Sequence, residues 1–247
     1  MLIETGKRAI LCSAILLGMF VSRHASASAF LDYRVDLSKQ VLRVYLNDSQ
    51  GRPFSDFAAL DRALDSRQET LVFAMNGGIF MTNLRPLGLF IENGKVLRRL
   101  NTRQNGYGNF YMQPNGVFLI DQNGAAILPT AQYPEHARSQ VVRFATQSGP
   151  MLVINNQINP ALPKTSSSKL IRNAACVIDK GTVVLSLADE PVTFQAFAQH
   201  LQVSGCQDAL YLDGAISDIY WPERGRIGIG GSFGPMIGVS VSRRLGK

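Results

Sequence analysis

Three turn signals set the frame into which this chain can fold. Asn93-Gly94, Asn123-Gly124 and Lys180-Gly181 each sit between two short apolar runs. Glycine accepts the left-handed backbone that tight hairpin loops need, and asparagine suits the same turns. Leu87, Leu89 and Ile91 alternate before the first turn, with Val96 and Leu97 after it. Residues 117–120 and the pair Ile127, Leu128 flank the second, and residues 174–187 frame the third. Such period-two spacing predicts strands. Residues 33–46 hold two more strand-like pieces, residues 141–154 frame a turn at 147–150, and residues 236–241 make the last strand. Helical spacing occurs twice. Phe57, Leu60 and Leu64 follow Ser55 as N-cap, and Phe194, Phe197 and Leu201 follow Thr193.

Strands therefore dominate and do not alternate regularly with helices. This predicts an α+β fold: a single domain on a strand-rich, twisted, mixed or antiparallel sheet with about two main helices. A doubly wound fold does not fit. The glycines of residues 225–234 neither follow a strand nor open a helix, so they give no dinucleotide fingerprint and read as a loop shaping a cleft. At 247 residues, 46% hydrophobic and 17% charged, the chain suits one domain with a sizeable core.

The first 27 residues read as a signal peptide. Lys7 and Arg8 precede an apolar stretch over residues 9–21, and Ala25-Ser26-Ala27 fits a small-x-small cleavage site. A retained anchor is the alternative, though the stretch is short for a span. Cys12 lies inside it, without the flanks of a lipoprotein acceptor. The domain then runs over residues 28–247, with a periplasmic or secreted location and no further membrane span expected. Loss of Lys7, Arg8, Arg23 and Glu4 takes the formal charge from +7 to +5. A basic exported protein suits anionic partners such as wall polymers or phosphorylated glycans. No dense basic run interleaves with aromatics, so a nucleic-acid partner is not expected. Cys176 and Cys206 remain, compatible either with a disulfide or with two buried thiols.

Chemistry is expected where apolar strands run into small residues. The run ending Leu212-Asp213-Gly214 delivers a carboxylate to a glycine turn, where backbone can approach a ligand. Leu71 to Met75 leads into Asn76-Gly77-Gly78, and Gln147-Ser148-Gly149-Pro150 leads into Met151 to Ile154. Together they suggest a cleft floored by backbone and able to hold a sugar or phosphate. Each element also has an ordinary reading: an Asp-Gly hairpin turn for Asp213, a turn residue for Asn76 and a surface salt bridge for Arg172. Glu190, with Asp189 before it, ends the second arm of the Lys180 hairpin and reads as a second carboxylate or a solvated strand end; Asp218 and Glu223 are similar. His136, in a polar loop, and His200, on a helix's polar side, are too dispersed for a serine triad or a zinc hydrolase. Tyr220 and Trp221 suit either sugar stacking or the core.

In order, Asn76-Gly77-Gly78-Ile79-Phe80, Ser148-Gly149-Pro150-Met151-Leu152, Arg172-Asn173-Ala174-Ala175 and residues 212–217 resemble the NGGFF, SGPxL, RTA and LDGGGS elements of the phosphodiester glycosidase family. The similarity runs from about Phe30 to the C-terminus. Ala215 stands where that family usually has glycine, and Asn173 where threonine is common. The resemblance implies hydrolysis of a sugar 1-phosphodiester at the anomeric carbon. An acidic phosphate leaving group needs less general-acid help than an alcohol, so one carboxylate and a cationic clamp suffice in place of the usual carboxylate pair. Asp213 is then nucleophile or base, and Arg172 the phosphate clamp through a bidentate fork, with Arg85 a weaker second. The N–H groups of Gly77, Gly78 and Gly149 would cradle oxygens, Asn76 and Ser148 would bind sugar hydroxyls, and Gly214, Ser217 and Glu190 complete the binding set. No cofactor is certain and no metal ligand is readable; calcium or magnesium held by carboxylates and carbonyls beside the phosphate stays open. Two further readings also stay open. One is a non-catalytic envelope module that binds glycan or phosphoglycan. The other is an ordinary glycosidase, which needs a second carboxylate within roughly 10 Å of Asp213.

Overall fold

A computed structural model describes residues 30–214, 216–228 and 230–243. The signal segment with Cys12, and Ala215, lie outside the described residues. The first part of the chain forms β1 (Phe30–Asp36), β2 (Val41–Tyr45), α1 (Phe57–Asp65), β3 (Glu69–Asn76), β4 (Phe90–Glu92) and β5 (Lys95–Arg98). The middle forms β6 (Gly116–Asp121), β7 (Gly124–Pro129), α2 (Tyr133–Ser139), β8 (Val142–Ser148), β9 (Met151–Ile154) and β10 (Gln157–Ile158). The last part forms β11 (Asn173–Asp179), β12 (Thr182–Ala188), α3 (Phe194–Val203), β13 (Asp208–Asp213), β14 (Ile219–Trp221), β15 (Arg226–Ile227) and β16 (Met236–Ser242).

The strands build three antiparallel sheets rather than one. Their orders are β1-β12-β11-β13-β9-β10, β15-β14-β3-β16-β2 and β5-β4-β8-β6-β7. The expected hairpins form at all three turns. The strand pair of residues 141–154 does not stay in one sheet: β8 ends in the third sheet, and β9 starts in the first after a cis Gly149-Pro150 bond. Likewise β1 and β2 enter different sheets.

One apolar core lies between the inner faces of all three sheets, with Phe73 and Met75, Phe118 and Phe144, and Leu185 and Leu210 as contributors from each in turn. Each outer face is covered by one helix. Phe57, Leu60 and Leu64 of α1 pack on Tyr45, Leu71 and Met236. Phe194, Phe197 and Leu201 of α3 pack on Val153, Ala209 and Tyr211. Tyr133 of α2 packs on Leu89, Val117 and Leu119. An apolar stripe of three buried side chains over two turns is what holds α1 and α3 in place. Thr193 caps α3 as expected, accepting from the Ala196 N–H at 3.2 Å. The cap of α1 is Asp56, accepting from the Ala59 N–H at 2.7 Å. Ser55 instead bridges to Phe233 with positive φ. The segment around His136 is helix α2 and not a loop, because Pro134 opens it and Tyr133 anchors it. Cys176 of β11 and Cys206 after α3 form a disulfide. Trp221 is a core residue, with its ring edge against Tyr33 and Phe73. Among the described residues no helix is long and apolar enough to cross a membrane.

Candidate functional site

Four strand ends converge where the three sheets meet. Asn76 ends β3, Ser148 ends β8, Asn173 opens β11 and Asp213 ends β13. Apolar side chains cannot hold sheets together where their backbones diverge toward solvent, so buried polar side chains do it there. Ser148 Oγ donates to the Leu212 carbonyl at 2.9 Å, tying the third sheet to the first. Thr146 Oγ1 donates to the Gly77 carbonyl at 2.8 Å, tying the third to the second. Asn173 ties the first to the second: its Nδ2 donates to the Asn76 carbonyl at 2.8 Å and to Asn76 Oδ1 at 2.9 Å. Its Oδ1 accepts from the Asp213 N–H at 2.9 Å. The Asp218 N–H also reaches Asn76 Oδ1, at 3.3 Å.

Asp213 is 8% exposed, a carboxylate at the mouth of a buried network. Its Oδ1 accepts from the Gly214 N–H at 2.6 Å, and its carbonyl accepts from Ser217 Oγ at 3.0 Å. Gly214 is required for packing, because a Cβ there would collide with the Tyr211 hydroxyl. Tyr211 was not legible as a site residue, hidden inside an apolar strand. Its hydroxyl accepts from Asn109 Nδ2 at 3.3 Å. Burial, with the Asp213 charge adding to it, pushes the Tyr211 phenol up to about 12, so it stays protonated at neutral pH and can donate.

Arg172 is 1% exposed, which rules out a surface salt bridge. Its guanidinium stacks 3.8 Å from the Phe194 ring centroid. Nε donates to the Val192 carbonyl at 2.8 Å and Nη2 to the Ser168 carbonyl at 3.2 Å. The expected bidentate fork is therefore already committed to backbone, and Nη1 is the donor left buried without a partner. Burial lowers the Arg172 pKa, while the Tyr211 hydroxyl beside it pulls it back up. Asn76 Nδ2 is likewise buried without a partner. Buried donors in this condition are rare and call for an explanation such as a ligand.

Gly77 departs from its expected role. The Gly77 N–H donates to the Pro235 carbonyl at 2.7 Å and cradles nothing. A Cβ on Gly77 would meet the Met236 backbone at 2.8 Å, and one on Gly149 would lie 2.6 Å from Asn115 Cβ. Gly78 has φ +149° and faces Thr146 Oγ1. Close packing of strand ends explains all three. Glu190 is exposed, beyond the end of β12, and no contact joins it to this cluster among the described residues. Its neighbour Asp189 pairs with Arg226 at 2.7 Å. Arg85 is not brought into this cluster. It lines a separate hollow with Asn47, Asn83 and Arg98. Asp218 turns its carboxylate to the Ile219 N–H at 2.8 Å and toward the Gly228 loop. Among the described residues no group of three acidic, histidine or cysteine side chains gathers to hold a metal ion.

Comparisons with known proteins bear on the family and the fold. A sequence model of the phosphodiester glycosidase family matches residues 69–227, the stretch from β3 to β15 that holds Asn76, Ser148, Arg172 and Asp213. The uncharacterised protein YigE of Escherichia coli K12 is 34% identical over 189 residues, which cover 76% of this chain and 72% of YigE. In fold, the chain is similar to the zebrafish N-acetylglucosamine-1-phosphodiester alpha-N-acetylglucosaminidase catalytic domain, auto-inhibited by its pro-peptide. The TM-score is 0.55 at 15% identity, covering 90% of this chain and 86% of that domain.

Proposed function

This chain belongs to the phosphodiester glycosidase family, and from that premise we propose that it is an exported hydrolase cleaving the anomeric C–O bond of a sugar 1-phosphodiester in an envelope or extracellular glycan. The observation that carries the reading is the pair of buried, unpartnered donors, Asn76 Nδ2 and Arg172 Nη1, beside the network that fixes Asp213. Donors held in this way in a water-poor site stabilise developing negative charge without reorganising.

In the proposed reaction a water oxygen bonds to the anomeric carbon as the bond to the phosphate oxygen breaks. The bond's electron pair leaves with the phosphate, and the water's proton passes to Asp213. In the two-step variant Asp213 attacks first and water then releases the sugar. Arg172 Nη1 and the Tyr211 O–H would receive the phosphate oxygens, with single charge-assisted contacts replacing the fork. Asn76 Nδ2 would donate to a sugar hydroxyl. Ser148 and Asn173 act through the positions they hold, since their side chains are committed to the sheet junctions. The Cys176–Cys206 disulfide supports an oxidising compartment, periplasmic or extracellular.

The test follows free reducing sugar from a panel of sugar 1-phosphodiesters and matched simple glycosides, with wild type and Asp213→Asn. Release from phosphodiesters alone, lost in the variant, is expected. Full activity in a folded Asp213→Asn would remove Asp213 from the chemistry. Saturable glycan binding without any turnover would favour the non-catalytic module.

A further inference from the structure

We propose that a groove lined by Arg85, Arg98, Arg99 and Arg103 binds the anionic strand of a phosphorylated glycan and leads it into the site at Asp213. The proposal deepens the function proposed above and rests on it only for the direction in which the strand runs.

Three hollows lie in a row along residues 97–104. The first, about 300 Å³, has Arg85 and Arg98 in its lining. The second, about 710 Å³, shares Arg98 and adds Arg99 and Arg103. The third, about 250 Å³, shares Asn101, Thr102 and Arg103 and reaches Asn115. No aspartate or glutamate lines any of the three. None of these arginines makes an ion pair among the described residues, as is also true of Arg34 and Arg138; what sets them apart is that they line neighbouring hollows. Guanidinium groups along one row of hollows with no carboxylate in its lining leave their positive charge uncompensated. A polyanion supplies the missing charge.

The third hollow stops at Asn115, one packed layer from the Ser148-Gly149 strand end. Asn115 packs against Gly149, where an added Cβ would meet it. Its amide donates to the Phe110 carbonyl at 3.0 Å, and the adjacent Asn109 donates to the Tyr211 hydroxyl. Around the arginines the lining mixes Leu87, Leu97 and Leu100 with the amides and hydroxyl of Asn101, Thr102, Gln104 and Gln113. Such groups pair with sugar hydroxyls, while guanidinium groups pair with phosphates. A concave, arginine-lined row of hollows admits a flexible strand and does not match a flat bilayer.

The test is binding of a phosphorylated dextran oligosaccharide and its uncharged parent to the purified chain, measured by calorimetry at low and high salt. Wild type should bind the phosphorylated probe in a salt-sensitive way and ignore the parent. R98E/R99E should weaken it by about tenfold or more, while R34E/R138E, an equal charge change on exposed residues elsewhere, should stay within about threefold. If R98E/R99E does not fold, R98Q/R99Q carries the test with an expected loss of about threefold. Equal losses in groove and remote variants, groove variants that bind like wild type, or a wild type that binds anionic phospholipid vesicles but not the oligosaccharide would each overturn the proposal. Because turnover plays no part in this readout, its failure leaves the hydrolase reading standing, and failed hydrolysis leaves the groove standing.

Discussion

The two ends of the same strands carry two polar clusters that are built to opposite rules. At one end, Asp121 closes β6. Its Oδ1 accepts from the Asn123 N–H at 2.6 Å, and its Oδ2 meets His136 Nε2 at 2.9 Å. Gln140 Oε1 in turn accepts from Asn123 at 2.7 Å and Gln122 at 3.1 Å. No buried side-chain atom of that cluster lacks a partner. At the other end, around Asp213, two buried donors do. A closed network fastens a hairpin to a helix and is complete in itself. An open one keeps its donors desolvated and aimed, at a cost in stability that a ligand can offset. On the proposed function this contrast is the reason to favour the Asp213 end, although both ends offer a carboxylate. Two other buried atoms without a well-formed hydrogen bond, Tyr45 Oη and Trp221 Nε1, lie in the core; the Arg43 guanidinium sits beside the first, and nothing in the structure explains the second.

The contrast can be broken most sharply at Asp213. Asp213→Asn should lower turnover of a sugar 1-phosphodiester by about 10²–10⁴-fold with the melting temperature little changed. A small kinetic effect would make the open end structural. Arg172→Lys keeps a charge but loses the planar stack on Phe194 and the fixed Nη1; kcat should fall by about 10²-fold. A variant that merely melts earlier, with kcat intact, would place Arg172 in the core alone. At the closed end, His136→Ala should reduce the free energy of unfolding by about 1–3 kcal/mol, since it strips the buried Asp121 of a partner. Turnover at low temperature should not change, and a kinetic effect there would erase the distinction between the ends.

The smallest expected effect concerns Glu92 of β4. Burial pushes its carboxyl up to about 7, against the pull of Arg67 and the Leu46 N–H. Below its ordinary value of 4.5 both folded and unfolded chains hold this proton. As pH rises to about 7, the unfolded chain releases it and the folded chain keeps it, so stability declines across that window. Glu92→Gln should flatten the decline and gain on the order of 1 kcal/mol at pH 8 relative to pH 4. Urea unfolding at the two pH values measures it, and parallel curves for both proteins would refute it.

Much of the strand inventory was legible because each turn carries its own glycine and each strand its own alternation. The caps and sheet membership were less so. Ser55 and Asp56 are equally good N-caps by type, and the choice fell to Asp56 because Ser55 is held by its bridge to Phe233. Asn76, Ser148, Arg172 and Asp213 were legible as candidates through their places at the ends of apolar runs. Asn173, Tyr211 and Asn109 were not, because a buried amide or phenol in an apolar run looks like any other strand residue until its partner across the sheets is known. The role of the Gly77 N–H was misread for the same reason: a glycine that admits a ligand and one that admits a neighbouring strand have the same sequence.

Local rules acting within a few residues decided the hairpins, the α1 and α3 stripes and the single carboxylate at a glycine turn; backbone geometry and side-chain spacing suffice for these. Long-range packing decided the rest. Three sheets around one core bring residues 76, 148, 173 and 213 to one mouth, commit two of Arg172's three nitrogens to carbonyls, and leave Nη1 and Asn76 Nδ2 without partners. A hydrogen bond left unmade depends on every group that surrounds the donor, and those groups come from distant parts of the chain.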